Sequence, residues 1–324
     1  MAYFIRYSLS VISEVFMCGI AGIMVKHNGA SADTPPLGDA LYRMLYELRH
    51  RGCDAAGTAL YLDAPREYIT ARVSLFNSKE DLPTLRRIVN EYAELGECDL
   101  YRTNSPYTMA RVTLQCEPRD VPRLYREINA QPSLCVHSLS DCMQVIKDVG
   151  TADALAEYGG LRNVQGQHAL GHTRLATESI DNLNFAHPFS TDLMPELTVV
   201  HNGQLTNYFK LRRKLEAKGV RCKTFNDSEI IAHYLAYKMT REDKTLQQAL
   251  TASLDDFDGV YSYLVATDTA IGAVRDRLGI KPILFYQQNG LLLLGSEQVS
   301  FEAVDPDIYA AEMAPGEVRV WSKN

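Results

Sequence analysis

The stretch Met17-Cys18-Gly19-Ile20-Ala21-Gly22-Ile23 sets a methionine directly before a cysteine, at the start of a short apolar segment. Glycines in such a segment are typical of a buried strand whose backbone lies close to its neighbours. Most buried cysteines are inert packing residues. Loss of the residues up to Met17, however, would leave Cys18 with both a thiol and a free α-amine. The reference pKa of an α-amine is about 7.7–8.0, so that amine could serve as the base for its own side chain.

Residues 1–16 are interpreted as a propeptide or an over-extended start, and we favour the over-extended start because Met17 alone would suffice. They make a poor signal peptide, since Arg6 and Glu14 interrupt the apolar region and no small-residue cleavage site follows.

Composition indicates an ordinary globular protein of 324 residues with 46% hydrophobic and 23% charged residues. The formal net charge of -7 gives no electrostatic support for nucleic-acid binding. No apolar run approaches the ~20 residues that span a bilayer, so no membrane association is predicted. The cysteines number seven and form no CxxC pair, which favours reduced thiols in the cytoplasm over disulfides or a metal site.

Strand patterns dominate both ends of the chain and helical patterns its middle, which predicts an α+β fold built in layers over residues 17–324. Within it, residues 68–140 follow the order β-α-β-β-α-β of a ferredoxin-like unit. We predict that this range is an inserted α+β module. The alternative is an extension of the main sheet.

Three polar positions near predicted strand ends or helix starts could handle a charged substrate. Asn202 and Gly203 offer a side-chain amide and a backbone N–H suited to a developing oxyanion, although Asn-Gly usually marks a turn. Arg174 could hold a carboxylate bidentately or form a surface salt bridge. Asp227 could bind an ammonium group or cap a helix.

Six motifs occur together, in the order MCGIAGI, RHRGCDAAG, GHTRLAT, AHPF, VVHNGQLTN and NDSE. In this combination the sequence resembles the class II glutamine amidotransferases, over roughly residues 17–62 and 166–300. The resemblance implies the N-terminal-nucleophile hydrolase fold, a four-layer αββα sandwich.

The resemblance also implies a role for each matching residue. Cys18 would be the nucleophile, with its own α-amine as base, and Asn202 and Gly203 would form the oxyanion hole. The substrate-binding residues would be Arg174 and Thr177 for the glutamine α-carboxylate, Asp227 for its α-amine, and Arg51 close to the nucleophile.

Two parts of the sequence stand apart from this assignment. Leu175 and Glu178 replace aromatic and histidine residues of some family members, which argues against the sugar-phosphate branch of the family. The later stretch RDRLGIKP looks like the family's, but we assign it no catalytic role and expect its Arg275, Asp276 and Lys281 in structural ion pairs.

In detail the motifs look most like stand-alone glutaminase subunits of the glutamate synthase and N-methylglutamate synthase type. That resemblance implies a synthase partner that carries FMN and an iron–sulfur cluster, with no cofactor on this chain. The sequence contains no P-loop and no GxGxxG. We therefore expect the ammonia acceptor site on another polypeptide.

Two alternatives stay open at this point. One is an N-terminal-nucleophile amidase that acts on another amide. The other is an inactive regulatory or scaffolding subunit in which the residues before Cys18 are retained and block its amine.

Overall fold

A computed structural model describes residues 18–26, 36–63, 65–175 and 183–323. Its strands are β1 Gly19–Val25, β2 Ala55–Tyr61, β3 Ile69–Leu75, β4 Ala93–Arg102, β5 Thr108–Cys116, β6 Leu134–Ser140, β7 Met143–Val149, β8 His168–Arg174, β9 Phe189–Ser190, β10 Thr198–Leu205, β11 Gly259–Ala266, β12 Ala270–Arg275, β13 Leu284–Gln288, β14 Leu291–Gly295, β15 Ala311–Glu312 and β16 Val318–Ser322. Its helices are α1 Leu37–Glu47, α2 Ser78–Tyr92, α3 Val121–Asn129, α4 Ala152–Glu157, α5 Tyr208–Glu216, α6 Asp227–Arg241, α7 Leu246–Asp256 and α8 Val299–Glu302. The predicted propeptide or over-extended start, residues 1–16, lies outside the described residues.

Strand β1 lies in the middle of a seven-stranded antiparallel sheet with the order β15-β13-β14-β1-β8-β2-β7. A strand paired on both edges and covered on both faces should be apolar throughout. Strand β1 fits this expectation: its residues are all apolar, and Gly19 to Met24 are all buried. The residue that follows directly from Cys18 is thus fixed in the centre of the larger sheet.

A second, five-stranded sheet with the order β16-β12-β11-β10-β9 packs on the first. Successive side chains of a strand point to opposite faces. Ile20 and Met24 of β1 therefore pack between the sheets with Val200 of β10 and Leu264 of β11. The intervening Ala21 and Ile23 point the other way.

Helices cover the two outer faces. Helices α1, α4 and α8 share a buried apolar cluster with the outward side of β1 and its neighbours. Helices α5, α6 and α7 share another with β10, β11 and β12. The layers thus run helix, sheet, sheet, helix, and the predicted αββα sandwich is confirmed.

The inserted segment has a sheet and an apolar core of its own. Its elements β3, α2, β4, β5, α3 and β6 follow the predicted order, and the strands are arranged β4-β5-β3-β6, all antiparallel. Helix α2 ends at Tyr92, because residues 93–95 pair with β5. Whether residues 68–140 fold on their own stays a prediction.

Polar contacts hold this module against the sandwich. The Tyr125 hydroxyl of α3 lies 2.9 Å from the Ser190 hydroxyl of β9. The Lys223 ammonium donates to the carbonyl oxygens of Asn129 and Gln131 at 2.8 and 2.7 Å. The module therefore contacts the sheet edge at β9 and the segment that leads into α6.

No helix or strand was predicted at the positions of β7, α4 and α7. The cap of α6 was predicted at the wrong residue. The helix is capped by Asn226, whose side chain accepts a hydrogen bond from the Ser228 N–H, and Asp227 is the first helical residue.

Within the described ranges, no helix combines the length and the apolar character needed to cross a membrane. The same residues bring together no group of three or more His, Cys, Asp or Glu side chains that could hold a metal ion.

Candidate active site

Cys18 precedes β1 directly, and two side chains from other elements hold its carbonyl oxygen. Arg51 Nε and Asn202 Nδ2 each donate a hydrogen bond to that oxygen at 3.0 Å. The next peptide is fixed as well, since the Gly19 N–H donates to Thr173 Oγ1 at 3.2 Å. The position of Cys18 is therefore set from its C-terminal side.

The Cys18 thiol is partly buried, and its Sγ lies 4.0 Å from the carbonyl oxygen of Leu175. Burial raises the pKa of this thiol above its ordinary value, although the Leu175 contact and the charges of Arg174, Arg51 and Lys281 oppose the shift. No His, Asp or Glu side chain in the described part of the chain hydrogen-bonds the sulfur. Formation of a thiolate here requires a base.

Asn202 and Gly203 lie near the end of β10, opposite Ser262 and Tyr261 of β11. An amide NH₂ carries two N–H groups, and the contact with the Cys18 carbonyl uses one of them. Gly203 has a φ of +125°, and a Cβ at this position would clash with the carbonyl oxygen of Val260. The backbone beside Asn202 therefore requires glycine.

Arg51 follows a short 3-10 turn after α1 and is only 3% exposed. Its guanidinium forms an ion pair with Glu297, and Glu297 also contacts His50 at 2.8 Å. Arg51 was predicted to lie close to the nucleophile, and its contact with the Cys18 carbonyl places it there. This contact makes Arg51 a positioning residue for the cysteine.

Asp227 opens α6 close to the end of β10. Its carboxylate accepts a hydrogen bond from the Leu205 N–H at 2.9 Å and lies 3.5 Å from His201 Nδ1. Burial would raise the pKa of Asp227, but His201 and these hydrogen bonds outweigh it and hold the pKa below its ordinary value. A carboxylate that stays charged while largely buried is suited to bind a cation.

The structure thus brings several of the predicted residues together. Cys18, Arg51 and Asn202 share hydrogen bonds, Gly203 follows Asn202, and the charge of Arg174 acts on the Cys18 thiol. Thr177 lies outside the described residues.

Comparison with known proteins shows the family of the chain. Residues 172–303 match the family model described as a glutamine amidotransferase domain. A putative glutamine amidotransferase of Methanothermobacter thermautotrophicus is 36% identical over 311 residues, covering 94% of this chain and 99% of that protein. The chain belongs to the glutamine amidotransferase family.

A second relative of this amidotransferase is the glutamine amidotransferase-like protein GlxB of Rhizobium meliloti. It is 33% identical over 308 residues, which cover 94% of this chain and 98% of GlxB.

Among solved structures, the amidotransferase has the fold of glutamine phosphoribosylpyrophosphate amidotransferase from B. subtilis. The TM-score is 0.58 at 20% identity, and the match covers 94% of this chain. The structure of the allosteric regulatory enzyme of purine biosynthesis gives a TM-score of 0.60 at 21% identity. The amidotransferase spans about half of these chains, 47% and 46%. The likeness supports the N-terminal-nucleophile type of fold.

Next to the candidate active site lies a buried histidine cluster that no sequence pattern predicted. The rings of His172 and His187 stack with centroids 3.9 Å apart. His187 Nε2 and His201 Nδ1 lie 2.7 and 2.9 Å from Ser228 Oγ. Burial lowers the pKa of His172 to about 3 and holds that of His187 well below its ordinary value, so both rings are neutral. The cluster draws one residue from each of the motifs GHTRLAT, AHPF, VVHNG and NDSE.

The residues of the RDRLGIKP stretch differ in part from their predicted role in structural ion pairs. Arg275 pairs with Glu312 at 2.8 Å as expected, whereas Asp276 accepts hydrogen bonds from backbone N–H groups. Lys281 lies close enough to Cys18 and Arg51 for their charges to interact. It therefore belongs to the surroundings of Cys18, and its expected ion pair stays a prediction.

Proposed function

We propose that this chain is a glutaminase subunit that hydrolyses L-glutamine through a thioester on Cys18 and passes the ammonia to a partner synthase subunit. The observation that carries this proposal is the cluster around Cys18. Its carbonyl contacts Arg51 and Asn202, and its thiol lies in the field of Arg174. These are the groups that the family motifs assign to one site.

The proposed reaction begins with the α-amine that removal of the preceding residues leaves on Cys18. This amine takes the thiol proton, and the thiolate attacks the side-chain amide carbon of glutamine. The oxyanion that forms accepts hydrogen bonds from Asn202 Nδ2 and the Gly203 N–H. The carbon–nitrogen bond then breaks, ammonia leaves with a proton from the amine, and water hydrolyses the thioester to glutamate.

Two opposite charges are proposed to select glutamine among amides. Arg174, with Thr177, would bind the α-carboxylate, and Asp227 would bind the α-ammonium. The lowered pKa of Asp227 supports this assignment because the carboxylate is charged at neutral pH. An amidase with another substrate would not need both charges.

The partner is proposed to be a synthase of the glutamate synthase type that carries FMN and an iron–sulfur cluster. Support comes from the motif resemblance to stand-alone glutaminase subunits and from relatives of nearly equal length that are named as amidotransferases. An inactive scaffold is the second candidate. It would keep the residues before Cys18.

Two chains with different N-termini test whether the α-amine of Cys18 is the catalytic base. A chain produced with Cys18 as its first residue should release glutamate from glutamine. A matched chain that keeps one extra residue before Cys18 should be inactive, because its α-amine is tied up as an amide. Intact mass establishes each terminus, and equal activity of the two chains would contradict the proposed base.

Replacement of Arg174 tests the carboxylate clamp. Hydrogen bonds to charged groups contribute about 1.5–3 kcal/mol, so Arg174→Ala should raise KM for glutamine by about 10- to 100-fold. We expect a smaller change in kcat. Arg213→Ala, which removes an exposed arginine of α5, is the control and should leave KM unchanged. An unchanged KM in Arg174→Ala would show that the carboxylate is bound elsewhere, and turnover of other amides should then be measured.

A further inference from the structure

A cavity of about 210 Å³ lies between the inserted module and the sandwich. The module contributes residues of α3 and β6 to its wall. The sandwich contributes residues of β7, β9 and α6 and the segment that precedes α6. None of the residues assigned to glutamine chemistry lines this cavity, so it is separate from the candidate active site.

Lys147 of β7 is a buried cation that lines this cavity. The residue is 6% exposed, and among the described residues its ammonium forms no ion pair or hydrogen bond. The Lys147 Nζ lies over the ring of Phe189, 5.1 Å from the ring centroid. Burial lowers the pKa of Lys147 to about 8, the consequence expected for a cation with little solvation.

The acidic residues of the cavity form no ion pair with Lys147, although the charge of Glu229 acts on it. The Glu229 carboxylate accepts hydrogen bonds from the Lys223 N–H at 2.6 Å and from the N–H and hydroxyl of Thr224 at 2.8 and 2.7 Å. Asp192 lies 3.6 Å from the guanidinium of Arg126. Among the described residues, Lys147 is therefore left without an ion-pair partner in the cavity.

A second polar group of the cavity also lacks a partner. His137 of β6 is 2% exposed, and its buried Nε2 has no hydrogen-bond partner within the described residues. Burial and the nearby charges of Lys147 and Arg72 hold the pKa of His137 well below its ordinary value. The neutral ring can donate one N–H to an anion.

The rest of the wall limits what can enter. Tyr125, Val136 and Phe189 provide apolar surface, and Arg221 adds a further positive charge. The volume is below the roughly 300–1,000 Å³ usual for drug-sized ligands, so a nucleotide is too large. A small organic acid matches the size of the cavity, the buried ammonium of Lys147 and the apolar wall.

We propose that this cavity binds a small carboxylic acid whose carboxylate accepts hydrogen bonds from Lys147 Nζ and the His137 ring. The acid is held between the module and the sandwich. Its site shares a helix with the candidate active site, since α6 carries Asp227 at its start and Glu229 and His233 at the cavity.

Calorimetric titration of the full chain with acetate, butyrate, 2-oxoglutarate and inorganic phosphate, at constant ionic strength, tests this proposal. At least one carboxylate should bind with one-to-one stoichiometry. Lys147→Met, which keeps the length of the side chain and removes its charge, should weaken that binding about tenfold or more. Lys79→Met, at an exposed lysine of α2, should leave the affinity unchanged.

Two further variants separate this site from the candidate active site and from effects on folding. Arg174→Ala removes the carboxylate clamp proposed for glutamine and should keep the carboxylate affinity. His137→Phe keeps Lys147 and should also weaken binding, with the melting temperature as a check on the fold. Absence of carboxylate binding, binding of phosphate alone, or equal affinity in Lys147→Met would overturn the proposal.

Discussion

Cys18→Ala is expected to lower glutaminase turnover by at least about 10³-fold, because loss of a covalent nucleophile removes the thioester route altogether. The fold should persist. The sulfur has one weak contact, 4.0 Å from the Leu175 carbonyl oxygen, and the residue is held through its own carbonyl. We expect the free energy of unfolding to change by less than about 1 kcal/mol. Steady-state assays of glutamate release, with thermal melts in parallel, measure both effects.

Cys53→Ala is the matched control for this experiment. Cys53 is exposed and lies two residues after Arg51, so it is close to the site in sequence but takes no part in the proposed reaction. Its replacement should leave turnover intact. Mass mapping after treatment with an electrophilic glutamine analogue should find the adduct on Cys18. Normal turnover in Cys18→Ala would exclude the mechanism.

Asn202→Ala is expected to lower kcat by about 10²–10³-fold, the usual loss when one oxyanion donor is removed. KM should change little, since the donor acts on charge that develops in the transition state. The contact of Asn202 Nδ2 with the Cys18 carbonyl, at 3.0 Å, puts this amide beside the nucleophile. Single-turnover and steady-state kinetics separate the two parameters.

Asn207→Ala controls for the loss of an asparagine near the same strand end. Asn207 Nδ2 donates to the Asp256 carbonyl at 2.8 Å, away from Cys18, so its replacement should cost stability and leave kcat unchanged. A rise in KM at constant kcat in Asn202→Ala would instead assign Asn202 to ground-state binding.

The layered fold and the module could be predicted because their patterns are local. Buried strands such as β1 and β14 read as apolar runs, and the order of strands and helices in 68–140 was visible along the chain. Helix α7 was missed although Thr245 and Gln248 form a capping box at its start, a signal present in the sequence. Strand β7 was harder, because Gln144, Lys147 and Asp148 interrupt its apolar residues although the fold buries all three.

The candidate site was predictable residue by residue but not in its distances. Asn226, Asp227 and Ser228 are all competent helix caps, and tertiary contacts of Asp227 with Leu205 and His201 decide which one caps. The histidine cluster joins side chains from separate elements, which periodicity cannot reveal. Lys281 approaches Cys18 only because β1 and the segment after β12 meet in the folded chain.

The two hydrogen bonds to the Cys18 carbonyl bear on the order of events during maturation. Arg51 and Asn202 donate hydrogen bonds to the carbonyl oxygen of Cys18, and peptide cleavage before Cys18 does not change this atom. If the residues before Cys18 are a propeptide, a precursor can complete its sheets with the cysteine already in place, and cleavage then only frees the amine. Under that alternative, assembly and activation are separate steps.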